Sequence, residues 1–231
     1  MRPRIRFART KGQEMATSTI VTPQIVTPPV TRHRVRVFVD FWNFQLSCRR
    51  AKDQFRVDWQ KMPQILVAEA GRIVDPSATA HYEGMHVYGS YDKNKPNDVK
   101  LKNWFTNSLD KMPGTNVVLL ERQKKKGYPK CPHCQAETTK CHACGGDMRG
   151  TEEKGVDTRM ATELISLAWA QAYDVAVLVS SDRDFVPVAE FLQTKGIKIV
   201  HGAFPPQGSQ LSQKCWGNIN LVKLMPSFER V

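Results

Sequence analysis

A chain of 231 residues, 41% hydrophobic and 24% charged, can bury a core of its own, which excludes an unfolded chain and a scaffold dependent on disulfides. It contains no apolar run of about 18 residues, which excludes a membrane-spanning helix. Its net charge of +12 is uneven: eight Lys/Arg face one acid in residues 1–36, seven face two in residues 122–149, and 19 face 19 elsewhere. A basic periphery on a neutral body suits a polyanionic partner, of which nucleic acid is the usual one.

Residues 1–33 are expected to form a disordered tail, basic at first and then rich in Thr and Pro without a period. The tail lacks the apolar core of a secretory signal, and Met15 offers an alternative start. RVRVFVD (34–40) is a β-branched run with the pattern of a buried strand. A helix is expected from about Asn43, and a second over 58–71, with Asp58 as N-cap and Gly71 as stop. MHVYGSY (85–91) predicts a second strand, the spacing over 97–111 a helix, and NVVLLE (116–121) a third strand. Residues 122–150 break the pattern, being basic, Gly-rich and Cys-rich with too few apolar residues to pack alone. A helix is expected from Asp157 to about Ala172, a strand at VAVLVSS (175–181), a helix over 184–196 and a strand at IKIVHGA (197–203). A short helix and a strand turn close the domain over 208–224. This alternation predicts an α/β domain over 34–225, a parallel central sheet flanked by helices, interrupted by a small insertion.

In such sheets ligands sit beyond the carboxyl ends of the strands. Asp40 falls at the end of the first strand, and Asp182 and Asp184 fall just past the fourth. Asp157 opens the helix that leads into that strand and can close on the same rim. Carboxylates are hard ligands suited to Mg²⁺ or Mn²⁺. A cation held there polarises a phosphoryl oxygen and acidifies a bound water, and a free carboxylate can orient that water. Each of Asp40, Asp157 and Asp182 could instead cap the helix that follows it.

Three segments carry a family resemblance: VFVDFWNF (37–44), KGVDTRMATELISLAWAQAYDVAVLVSSDRDFVPVAEFLQTKGIKIV (154–200) and SQLSQKCWGNINL (209–221). With the K-G-V-D and S-S-D-R-D-F motifs together, the chain resembles the NYN domain, in the LabA-like branch of the PIN-like nucleases. The resemblance implies a Rossmann-like PIN fold, a divalent metal and hydrolysis of RNA phosphodiesters. It assigns the metal-site acids to Asp40, Asp157, Asp182 and Asp184, a polar companion to Asn43, and site-holding hydroxyls to Ser180 and Ser181. Phe41 stands where many members carry Gly, which is expected to narrow access beside Asp40.

The insert holds Cys131-x2-Cys134, six residues, then Cys141-x2-Cys144, with Gly145 and Gly146 after the last. Two C-x-x-C pairs predict a closed, structural Zn²⁺ site in a reducing, cytoplasmic setting, with His133 and His142 exposed. Cys48 and Cys215 read as core or near-core residues. Four thiolates on one Zn²⁺ leave the local positive charge on Arg122, Lys124, Lys125, Lys126 and Lys130, a strip suited to an RNA backbone. Tyr128 could stack on a base. The expected function is therefore a metal-dependent ribonuclease with RNA as partner and no membrane. A non-catalytic RNA- or protein-binding module is the main alternative, and a phosphatase-like hydrolase would leave the basic periphery unexplained. On homodimers and protein partners the sequence is silent.

Overall fold

The computed structural model describes residues 31–230. The expected disordered tail lies outside the described residues as far as residue 30, and Arg32 and His33 already belong to the first strand. In chain order the elements are β1 (Arg32–Asp40), α1 (Phe41–Ala51), α2 (Lys61–Val74), β2 (Thr79–Tyr91), α3 (Pro96–Asn107) and β3 (Thr115–Glu121). The insert contributes β4 (Gln123–Lys124) and β5 (Thr151–Glu152). Then follow α4 (Val156–Trp169), β6 (Val175–Val179), a 3-10 turn (Arg183–Phe185), α5 (Val186–Thr194) and β7 (Lys198–Ala203). The domain closes with α6 (Ser209–Lys214), β8 (Gly217–Asn220), α7 (Leu221–Leu224) and a second 3-10 turn (Met225–Phe228).

Six strands form one sheet in the order β3-β2-β1-β6-β7-β8. Every neighbouring pair is parallel. From β1 the chain first winds outward through β2 and β3, then returns to the other side of β1 and winds outward again. The reversal makes the seam between β1 and β6 the topological switch point, where open α/β sheets place their ligands.

β6 and the second half of β1 are apolar up to Asp40 because both faces are covered there. On β1, Val35, Val37 and Val39 face one core and Phe38 the other. The first core packs α1, α2 and the aromatic residues Phe44, Trp59 and Phe105. The second packs α4, α5 and α6 through Met160, Leu164, Leu192 and Leu211. No helix among the described residues is long and apolar enough to cross a membrane.

Three local differences from the expected elements have physical reasons. The second helix begins at Lys61 with Gln60, not Asp58, as its N-cap; Asp58 lies in the turn before it, where its Oδ1 accepts the N–H of Gln60 (3.1 Å) and of Lys61 (3.0 Å). β2 begins at Thr79, six positions before Met85, because its polar first half pairs with β1 across a register shift between Val35 and Arg36. That shift leaves Glu83 outside the pairing and Gly84 at φ 144°, a backbone that favours glycine. Gly71 continues α2 and does not stop it; a Cβ there would stand 2.5 Å from the Cβ of Ala80 on β2.

Candidate metal centre and nucleic-acid interface

Asp40 ends β1 and is 7% exposed, with its carboxylate at the switch point. Its Oδ1 accepts the backbone N–H of Asn43 (3.1 Å), and its Oδ2 accepts the hydroxyl of Ser180 (3.2 Å), which follows β6. The Asn43 side-chain oxygen in turn accepts the N–H of Ser181 (3.0 Å), and Ser180 Oγ accepts the N–H of Asp182 (3.2 Å). Asp40, Asn43, Ser180, Ser181 and Asp182 thus form one hydrogen-bonded seam joining the ends of β1 and β6. Behind it, His201 of β7 is fully buried. A carbonyl can only accept, so His201 Nε2–H donates to the Ser180 carbonyl (2.7 Å), leaving Nδ1 to accept the Ser212 hydroxyl (2.8 Å). Burial pushes the His201 pKa down and keeps the ring neutral.

Capping and site placement prove compatible. Asp40 caps α1, and Asp182 caps the 3-10 turn by accepting the N–H of Asp184 (2.9 Å). Asp157 caps nothing: it lies in the first turn of α4, whose N-cap is Gly155 at φ 81°. Its carboxyl is half-buried while that of Asp184 is exposed. Burial pushes Asp40 up to about 6; the Asn43 N–H opposes the rise, and the negative charges of Asp157 and Glu153 add to it. Asp157 is also raised, by burial and then by Asp182, Glu153 and Asp184. Asp157 is therefore the aspartate whose charge couples to each of the other three read from the sequence.

Glu153 is a fifth acid on that rim. It was hidden from sequence reading because it leaves the insert with no pattern around it. Its carboxylate accepts the Ser90 hydroxyl at the end of β2, and Arg122 Nη2 stands 3.8 Å from it. Arg122 Nε also donates to Ser90 Oγ (2.9 Å), and its guanidinium lies over the Trp42 ring at 5.4 Å. Arg122 therefore braces the rim, whereas the sequence suggested a free backbone contact.

Phe41 does not narrow access beside Asp40. It is buried among Trp42, Trp59, Trp104 and Phe105, on the first core.

The insert leaves and returns through the antiparallel pair of β4 and β5. Within it the chain repeats itself. Cys131 N–H donates to the Ala136 carbonyl and the Cys131 carbonyl accepts Gln135 N–H; Cys141 does the same with Gly146 and Gly145. A bridge between Lys130 and Glu137 closes one loop, and a bridge between Lys140 and Asp147 closes the other. Backbone N–H groups lower the pKa of Cys131 and Cys141, and each is also lowered by its paired thiol, Cys134 or Cys144. The two pairs do not merge, however. Among the described residues no three His, Cys, Asp or Glu side chains gather into a metal-holding group, either in the insert or on the acidic rim.

His133 and His142 are exposed. Of the basic strip, Lys124 pairs with Asp147 (2.6 Å) and Lys130 with Glu137 (3.3 Å), while Lys125 and Lys126 are exposed. Tyr128 is half-buried, with Arg149 covering one ring face at 4.9 Å. Cys48 is buried and Cys215 half-buried, and burial pushes each thiol up to about 12.

The model of the NYN domain matches residues 34–218. No curated protein matches the chain. A solved structure of a protein of unknown function from Vibrio parahaemolyticus is 16% identical at a TM-score of 0.51, covering 88% of this chain and 100% of that one. At that identity the likeness concerns the fold. The family match spans the parallel sheet, its switch point and all four rim aspartates, and the chain belongs to the NYN domain family of the PIN-like nuclease superfamily.

Proposed function

We propose that this protein is a divalent-metal-dependent ribonuclease that hydrolyses RNA phosphodiesters at Asp40, Asp157, Asp182 and Asp184. One observation supports the reading: Asp40, at the switch point, and Asp157 are both raised by burial and by neighbouring negative charge, that of Asp182 and Asp184 included for Asp157. Hard oxygen donors in mutual repulsion fit Mg²⁺ or Mn²⁺, and these four residues would hold it. The ion, when bound, supplies a polarised phosphoryl oxygen and a more acidic water. The chain's own part is orientation. Ser180 holds one oxygen of Asp40, Asn43 ties the start of α1 to Ser181, and neutral His201 fixes the Ser180 carbonyl from behind. Lys125 and Lys126 are exposed and act on Glu152, next to Glu153, so they offer positive charge from which an RNA backbone would gain by counterion release.

The test is cleavage of mixed single-stranded RNAs by the purified protein. Cutting is expected with Mg²⁺ or Mn²⁺ and none with EDTA; cutting that persists in EDTA would sink the reading. A non-catalytic RNA- or protein-binding module is the competing reading, favoured by the separation of the rim acids. RNA binding without cleavage in either metal would establish it.

For the insert we propose Zn²⁺ at Cys131, Cys134, Cys141 and Cys144, supported by the backbone N–H groups that favour thiolate at the first sulfur of each pair; the two separate pairs would have to close on one ion. Atomic emission is expected to find about one zinc per chain, lost when Cys141 and Cys144 become Ser. A metal-free purified chain would exclude it.

A further inference from the structure

Beside the rim lies a groove that the proposed chemistry does not use. One wall is α1, presenting Trp42, Gln45 and Arg49 at positions i, i+3 and i+7 of one helix face. The other wall is α3, through Leu101 and Trp104, and the floor is buried Phe41 and Trp59. The cleft encloses about 490 Å³, within the range of small-ligand sites. Three of the chain's five tryptophans line it.

We propose that this groove seats an unpaired nucleobase of single-stranded RNA, next to the phosphodiester held at the carboxylates. The proposal rests on the ribonuclease reading for its substrate class. Three features specify the occupant. First, the groove adjoins the rim through Trp42, which lies two residues after Asp40 and whose indole N–H donates to the Ser90 carbonyl (2.8 Å) at the end of β2. Second, its polar residues are Gln45, Gln54, Arg49 and Arg56, and no acid lines it. Amides can read base edges, while exposed arginines favour phosphate. Third, Arg49 follows Trp42 by seven positions of helix, so a stacking surface and a cation stand about 10 Å apart along one line. An apolar peptide would use the tryptophans but leave the cationic end idle.

The test compares two probes by tryptophan fluorescence without added Mg²⁺ or Mn²⁺: octauridylate, and an octamer of abasic spacers on the same backbone. Octauridylate is expected to quench saturably and to bind about tenfold more tightly than the abasic octamer. The Arg49→Ala/Arg56→Ala variant is expected to lose about tenfold for octauridylate. The Arg50→Ala/Lys100→Ala control, with the same loss of charge outside the groove, should lose less than twofold. Equal affinity for the two octamers, equal loss in the two variants, or no binding would each overturn the proposal, the last pointing to a protein partner. The two readings separate cleanly. A chain that cuts RNA but binds both octamers alike retains its nuclease reading, and one that prefers octauridylate but never cuts retains only the groove.

Discussion

Asp182→Asn is expected to lower RNA cleavage about a thousandfold while leaving the fold intact. On the proposed ribonuclease reading, the loss follows from removing one negative ligand of an ion whose stabilisation of phosphoryl-transfer charge would amount to several kcal/mol, each 1.4 kcal/mol being about tenfold in rate. The intact fold follows from the local role of the side chain. Asp182 Oδ1 accepts the N–H of Asp184 as the cap of the 3-10 turn, and an Asn carbonyl accepts the same bond. Cleavage rate and thermal melting measured on one preparation decide it. A well-melting variant that degrades RNA at the normal rate removes Asp182 from the chemistry.

Asp40→Asn is expected to stabilise the metal-free protein at pH 7 and to abolish its stabilisation by Mg²⁺. The folded Asp40 carboxyl titrates at about 6 against an ordinary 3.8, chiefly because it is buried. Between these values the folded state binds more protons than the unfolded one, so stability falls as pH rises through the interval and stays lower above it. The charged carboxylate then costs on the order of 2–3 kcal/mol at pH 7, which a neutral amide recovers. Asn also caps well, and its amide N–H can donate to Ser180 Oγ, whose own O–H must then turn to another acceptor at a cost smaller than that of the buried charge. A cation bound at the rim offsets the same cost, so Mg²⁺ should raise the melting temperature of the native chain and not of the variant. Chemical denaturation at pH 5 and pH 7, with and without Mg²⁺, gives the outcome. A variant less stable than the native chain at pH 7 would show that burial of Asp40 is not the dominant strain.

The parts of this protein legible in the sequence are those where one physical demand dominates. β1 and β6 are covered on both faces, so RVRVFVD and VAVLV announce themselves by apolarity, and the acids just beyond them fall where the switch point puts a site. The first half of β2 was not legible, since TAHYEG is polar and pairs with β1 only after Gly84 absorbs a register shift. Phe41 was misread because its side-chain direction is set by α1 and the aromatic core, neither of which its neighbour Asp40 reveals. Glu153 carried no signal at all: its place on the rim comes from the pairing of β4 with β5, a tertiary fact. The same holds for Arg122, whose charge suggested a ligand while its neighbours Ser90, Glu153 and Trp42 make it a brace.

The pairing of β4 with β5 also bears on how this insert can change. Gln123 stands opposite Glu152 and Lys124 opposite Thr151, so the chain departs and re-enters at one point. Everything between is one closed loop on a stem of two residues per strand. The entropy of closing such a loop grows only with the logarithm of its length, each doubling adding about 0.6 kcal/mol. The lobe can thus be lengthened, shortened or exchanged with little penalty to the sheet that carries the rim. What its stem must preserve is short: the exit at Arg122 and the return at Glu153, the two residues that meet at Ser90.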